Sequence, residues 1–388
     1  MAGSIEQRGE NKWRLVVSEM RDGKRVKHYR TITASSPKEA KKQLALFVAE
    51  VEKGQYVDPS KQTFAEFVQR WLKDYAESHL AAKTLHRYKE ILEKRVLPAL
   101  GHLKLEKIRP NHLLEFYASL QVEGIRQDGR PGKLSGKTIL QHHRVISSIL
   151  NDAVQWQLIP SNPASRVKPP KVHNKQQVCY DEDQVKALLA AVNKEEMKYR
   201  VMIHLAVFTG MRRGEILGLE WQDVDFDRGT LEVRQASQYL PGQGTFTKAP
   251  KNESSVRFLT IPPFLVNMLR QYKKEQAEHR LRVGDLWQGS DRLFTTWDGK
   301  PMHPDTISKW FPKFLKRHNL PSIPFHGLRH TAATMLINQG LPAKSISARL
   351  GHSNISTTFD IYGHYLKSAD KEAANRLEQV YQRMIGRL

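Results

Sequence analysis

Cysteine is nearly missing from this chain: Cys179 stands alone among 388 residues. An internal disulfide is therefore excluded, and so is a cysteine-rich zinc site. Long apolar runs are lacking too, so no stretch reads as a membrane span. The opening residues, MAGSIEQRGENKW, contain no apolar core of the secretory type. Acidic residues are in deficit, with 40 Asp and Glu against 62 Lys and Arg, a formal net charge of +22. A surface so one-sided is suited to a polyanion. A reducing, cytoplasmic setting on the bacterial nucleoid is the expectation, with no membrane contact. Low-complexity segments and internal repeats are also absent.

Apolar residues are not scarce. They make up 39% of the chain, enough for packed cores, and the length predicts more than one domain. Three blocks emerge. The first, 1–57, is expected to be a three-stranded sheet plus a helix. Trp13–Val17 and Val26–Ile32 read as strands around the turn Arg21-Asp22-Gly23-Lys24. Ala40, Leu44, Phe47, Val48 and Val51 mark one face of the following helix.

The second block, 62–167, reads as all-helical. Thr63-Phe64-Ala65-Glu66 has the form of a capping box, opening a stripe of Phe64, Phe67, Trp71 and Tyr75. The next helix, with Leu85, Tyr88, Leu92 and Val96, is expected to stop near Pro98. Aromatic stripes of this kind are core rather than ligand boxes. The linker Lys168-Pro169-Pro170-Lys171 is basic and stiff. The third block, 175–388, mixes helices with strands at Leu231–Val233 and Val256–Pro262, joined by a long turn. Its last helix carries Ala373, Leu377, Val380, Met384 and Ile385 on one face.

Four segments of the third block carry chemistry-bearing side chains. In TGMRRGEILGLEW, an apolar helix ends at Gly210 and Arg212 starts the next one. In FHGLRH, His326 and Arg329 share one side of a helical turn. In LGHSNISTTFDIY, Gly351 closes a helix, His352 follows, and Tyr362 comes on a further capped helix. A basic stretch, Lys248-Ala249-Pro250-Lys251-Asn252, supplies two candidate lysines. Each segment alone would be a surface arginine, a packed histidine or a half-buried tyrosine. Together they suit phosphoryl transfer. Two arginines can grip non-bridging oxygens bidentately, a tyrosine can attack phosphorus, and a histidine can take its proton.

In order and register these segments resemble the tyrosine recombinase (phage integrase) family. The resemblance covers about 175–366 directly; the helical block is similar to the family's core-binding domain and the N-terminal module to its arm-binding domains. It implies a multi-domain enzyme: a small β-sheet-plus-helix module, an all-α core-binding domain, and a mixed, mainly α, catalytic domain. It implies a site-specific recombinase that works through a 3′-phosphotyrosyl intermediate, integrating and excising a mobile element. Arg212, Lys251, His326, Arg329, His352 and Tyr362 would be catalytic, with Glu215 orienting them. The resemblance gives the lysine near the hairpin tip the role of protonating the leaving 5′ oxygen, with Lys248 open as the alternative to Lys251. No cofactor or metal is expected. The partners implied are double-stranded attachment sites, a homo-tetramer on paired sites, and DNA-bending accessory proteins. The last helix could pack in cis or dock on a neighbouring protomer. DNA-contacting candidates are Arg14, Arg21, Lys24, Arg25, Lys27 and Arg30 in the sheet, and Lys83 and Arg87 in the helical block. The rivals are a non-catalytic DNA binder, a type IB topoisomerase-like enzyme and a metal-dependent nuclease.

Three tempting features are set aside. Asp223, Asp225 and Asp227 alternate like a calcium loop, but Arg228 and Arg234 fall where glycine and glutamate are required. His142 and His143 are adjacent and point to different sides of a helix. His330 reads as packing beside Arg329.

Overall fold

The computed structural model describes residues 2–21, 24–52, 56, 62–172, 178–248, 256–351 and 377–385. The chain divides into two compact units, 1–174 and 175–388.

The first unit begins with three antiparallel strands, β1 (Ala2–Gly9), β2 (Lys12–Arg21) and β3 (Lys24–Thr33), in spatial order β1-β2-β3. β1, with Ile5 as its one large apolar side chain, has little of the alternation that marks β2 and β3. Strand alternation turns Leu15 and Val17 to the face covered by α1 (Pro37–Glu52), where they pack against Phe47 and Val51.

The helical block follows, with a separate core built on Phe64, Phe67, Trp71, Leu92, Ile146 and Leu150. Thr63 opens α2 (Phe64–Trp71) with both hydrogen bonds of the expected box: Glu66 N–H donates to its hydroxyl at 3.3 Å, and its own N–H donates to the Glu66 carboxylate at 2.7 Å. A π-helical turn, Leu72–Ala76, leads into α3 (Glu77–His79). The next helix repeats this plan as α4 (Ala82–Ile91), a π turn at Leu92–Val96 and α5 (Leu97–Leu100). The helix expected to stop near Pro98 thus runs on to Leu100. Pro98 lies inside this continuation, two residues after the π turn and two before the helix ends at Leu100. Two more helices, α6 (Pro110–Ser119) and α7 (Gly136–Gln155), complete the block. Fully buried Trp71 satisfies its one polar atom by donating to Asp152 at 2.6 Å.

The second unit opens with α8 (Glu182–Val192) and α9 (Met197–Thr209). From Val201 to Val207 every residue of α9 is buried, so this helix is the spine of the unit's core. After the short α10 (Arg213–Ile216) come β4 (Val224–Asp225) and β5 (Thr230–Val233), which pair with β8 (Arg257–Thr260) in the order β4-β5-β8. The segment expected to be one long turn contains a second hairpin, β6 (Ala236–Leu240) with β7 (Gly244–Lys248). Its polar sequence, ASQYL and GTFTK, hid it. The helices α11 (Pro263–Val283), α12 (Asp305–Arg317), α13 (Gly327–Asn338) and α14 (Ala343–Leu350) follow, and α13 packs on α9. The region 377–385 is helical, with Leu377, Tyr381 and Met384 exposed.

The aspartates of the would-be calcium loop have other work. Asp223 accepts from Arg234, and Asp225 accepts from the N–H groups of Asp227 and Arg228 to shape a turn. Among the described residues no cluster of His, Cys, Asp or Glu could hold a metal ion. No described helix is long and apolar enough to cross a membrane.

Candidate active site

The apolar helix α9 stops at Gly210 because the chain there turns left-handed, with φ of 66°. A Cβ on Gly210 would lie 2.4 Å from a methyl of Leu350, so the same glycine also admits the end of α14. Arg212 comes two residues later and is held at both ends by Glu215. Its backbone N–H donates to one carboxylate oxygen at 2.9 Å and its guanidinium to the other at 2.7 Å. α10 has only four residues and is capped by its own Glu215. An anion here would be met by side chains rather than by free N–H groups of a helix terminus.

Pro324 precedes a turn that brings His326 to the head of α13, and Arg329 lies one turn on, buried. The guanidinium of Arg329 donates to the carbonyls of Gly210 at 2.7 Å and Leu350 at 2.8 Å. The other end of Arg212 donates to the next carbonyl, Gly351, at 2.8 Å. Two arginines 117 residues apart in sequence thus rest on consecutive carbonyls where α14 closes at left-handed Gly351. These carbonyls lack helical partners and carry the negative end of the helix dipole.

His326 is the acid–base candidate. Desolvation of its ring lowers its pKa below the ordinary histidine value, and the positive charges of Arg329 and Arg212 lower it further. It is therefore neutral near pH 7 and able to accept a proton. His330, expected as packing, is buried edge-to-face with His326 at 5.1 Å. Burial, with His326 and Arg329 adding, pushes it down to about 4. Glu215 shows the reverse balance. Burial would raise its pKa, but hydrogen bonding and charge from Arg257, with Arg212, outweigh that and keep it lowered.

Arg212, Glu215, His326 and Arg329 are thus brought together. Lys251, His352 and Tyr362 lie outside the described residues. Lys248 ends β7 and is half-buried, while its neighbour Thr247 accepts from buried Arg292. In the N-terminal sheet, Arg25, Lys27 and Tyr29 share one face of β3, and Arg14 stacks over Tyr29 at 4.9 Å. Arg30 is not part of that face. It turns toward α1, pairs with Glu50 at 2.7 Å and lies over Phe47. Lys24 is exposed at the start of β3, and Arg21 ends β2 opposite it in the register. Lys83 and Arg87 are exposed on α4, although Arg87 pairs with Glu90 at 2.6 Å.

One residue of this cluster escaped the sequence reading. Arg257 reaches Glu215 at 2.8 Å from an inward-facing position of β8. An arginine where strand alternation demands an inward side chain is the signal that could have found it.

The phage integrase family profile matches residues 179–369, and that of the phage integrase N-terminal SAM-like domain matches 63–121. The chain belongs to the phage integrase family of tyrosine recombinases. It is accordingly an enzyme that cleaves and rejoins DNA strands. A tyrosine recombinase XerC-like protein of Caldanaerobacter subterraneus is 26% identical over 96% of this chain and 97% of its own length. The ICEBs1 integrase of Bacillus subtilis is 27% identical, covering 75% of this chain and 76% of its own. In fold, the chain is similar to the Tn1549 transposon integrase solved in complex with a circular intermediate DNA. That likeness has a TM-score of 0.67 at 21% identity, over 82% of this chain and all of that one. It is also similar to a lambda integrase dimer bound to a core site, with a TM-score of 0.56 at 17% identity, over 77% of this chain and 95% of that one.

Proposed function

We propose that this recombinase integrates and excises a mobile genetic element by joining paired attachment sites through a 3′-phosphotyrosyl link at Tyr362. The observation that carries the reading is the meeting of Arg212 and Arg329 on the carbonyls of Gly351 and Leu350. That turn runs directly into the segment bearing His352 and Tyr362.

The chemistry follows from these side chains. The two arginines hold the non-bridging oxygens of the scissile phosphate and stabilise the charge that gathers there in the transition state. The Tyr362 oxygen attacks phosphorus, and His326, neutral at physiological pH, takes its proton. A free tyrosine hydroxyl titrates near pH 10, so the surrounding cations must favour the phenolate. The bond from phosphorus to the 5′ oxygen breaks, and that oxygen receives a proton from Lys251, or from Lys248 in its stead. His352 hydrogen-bonds the phosphate. Reversal with a new 5′ hydroxyl seals the joined strand and conserves the phosphoester, so no ATP is consumed.

In this reading 1–57 is an arm-binding module, 62–167 a core-binding domain and 175–388 the catalytic domain. The enzyme works as a tetramer on two sites, at the nucleoid in the cytoplasm, with element- or host-encoded DNA-bending proteins assisting. Arg25, Lys27 and Arg14 offer the sheet face to a groove, where arginine reads guanine edges.

A plasmid carrying the two junctions that flank the element tests the proposal. Expressing the chain beside it should yield an excised circle with a newly joined site, found by sequencing across the junction. Relaxed plasmid without joined junctions would favour a topoisomerase and overturn the proposal.

A further inference from the structure

We propose that Arg257 is a positioning residue for strand cleavage, holding Glu215 and the end of α14 in one register so that Arg212 can face the phosphate. The inference rests on the assignment of Arg212 to the phosphate made above.

Each nitrogen of the Arg257 guanidinium has a partner. Two meet the oxygens of Glu215, at 2.8 and 3.4 Å, and Nε donates to the carbonyl of Arg349 at 3.0 Å. With Arg212 and Arg329, this arginine completes a set in which three successive carbonyls, of Arg349, Leu350 and Gly351, are each capped by a different guanidinium. Gly351 makes room for the arrangement: a Cβ there would lie 2.7 Å from the Arg257 guanidinium.

Glu215 therefore stands between two arginines of unequal exposure. The Arg212 side chain is 43% exposed and the Arg257 side chain 10%. The buried arginine neutralises the buried carboxylate from inside. The exposed one is then needed only for orientation and keeps its outer donors for a ligand. Without Arg257 the buried charge of Glu215 would fall to Arg212 alone and draw its guanidinium inward. The end of α14, from which the chain continues to His352, would lose one of its ties to β8 and keep only the weaker hold of the Arg349 guanidinium on the Thr260 carbonyl at 3.1 Å. Lysine carries its donors on one nitrogen and cannot reproduce the planar fork that meets both Glu215 oxygens and the Arg349 carbonyl from three nitrogens.

The test uses the full chain and a nicked suicide duplex carrying the core site mapped from the element's junction. Single-turnover cleavage is followed for Arg257→Gln and Arg257→Lys, on an ordinary phosphodiester and on a methylphosphonate at the scissile position. The methylphosphonate lacks the charged oxygen that Arg212 must grip. On the diester, Arg257→Gln should cleave at least roughly 30-fold more slowly at unchanged DNA affinity, and Arg257→Lys roughly threefold to tenfold more slowly. On the methylphosphonate, both should come within about threefold of the parent enzyme. A merely structural lesion would slow both substrates alike. Cleavage of the diester by Arg257→Gln within about twofold of the parent overturns the proposal, and so does an equal loss on the two substrates. If Arg257→Gln does not fold, Arg257→Lys carries the same comparison. Arg212→Lys in the same assay separates the two levels. Its retention of full activity would remove the phosphate assignment itself, whereas its failure beside a normal Arg257→Gln would remove only the role given to Arg257.

Discussion

Glu215 grips Arg212 twice, by the backbone N–H at 2.9 Å and by the guanidinium at 2.7 Å, so neither the residue's start on α10 nor its side-chain direction is free to drift. The carboxylate makes no contact that requires a reacting atom. In the proposed mechanism its effect on the reaction passes through Arg212.

Glu215→Gln keeps the shape but withdraws the charge. Single-turnover cleavage should fall about 10- to 100-fold, equivalent to about 1.4 to 2.7 kcal/mol of transition-state stabilisation. The salt dependence of DNA binding should stay as it is, because the phosphate contacts outside the cleavage centre are untouched. An unchanged cleavage rate would show that Arg212 needs no such support.

The depressed pKa of His330 makes stability depend on pH in a stated direction. Folded, the ring stays neutral down to about 4. Unfolded, it protonates near 6.5. Below that value the unfolded chain binds more protons, so this contribution is complete above about pH 6.5 and is lost as pH falls toward 4, by at most about 3 kcal/mol. Comparing urea midpoints of the parent protein and His330→Leu at pH 7 and pH 4.5 isolates it. The parent should lose more stability than the variant, and parallel losses would contradict the assignment.

In the N-terminal module, the two faces of β3 predict different outcomes. Replacing Arg25 and Lys27 by alanine should weaken binding to arm sites and leave the module's thermal stability within a degree or so, as expected of exposed positions. Arg30→Ala should instead lower stability, since Arg30 lies over Phe47 and pairs with Glu50. Footprints across a full attachment site, with melting curves of both variants, decide the matter. A lost arm footprint in Arg30→Ala at unchanged stability would reverse the assignment.

What the sequence made legible was local. Gly210 and Gly351 close helices through their own backbone freedom, Thr63 and Glu66 cap each other across three residues, and His326 and Arg329 share a turn because of helical spacing. What stayed hidden depends on partners far along the chain. Arg257 meets Glu215 across 42 residues and Arg349 across 92. Periodicity can say that Arg257 points inward, but not which carboxylate waits there. Arg30 looked like its basic neighbours until the register of β2 and β3 placed it against α1. The β6–β7 hairpin carries too few large apolar residues to signal two strands.

In the proposed mechanism Tyr362 becomes covalently joined to DNA. A nicked suicide duplex bearing the mapped core site, incubated with the chain in EDTA and run on a denaturing gel, measures this directly. The parent enzyme should give a slow-migrating protein–DNA adduct, and Tyr362→Phe should give none while binding the duplex with unchanged affinity. An adduct that persists in Tyr362→Phe, or a parent enzyme that cuts the strand without becoming attached to it, would contradict the account.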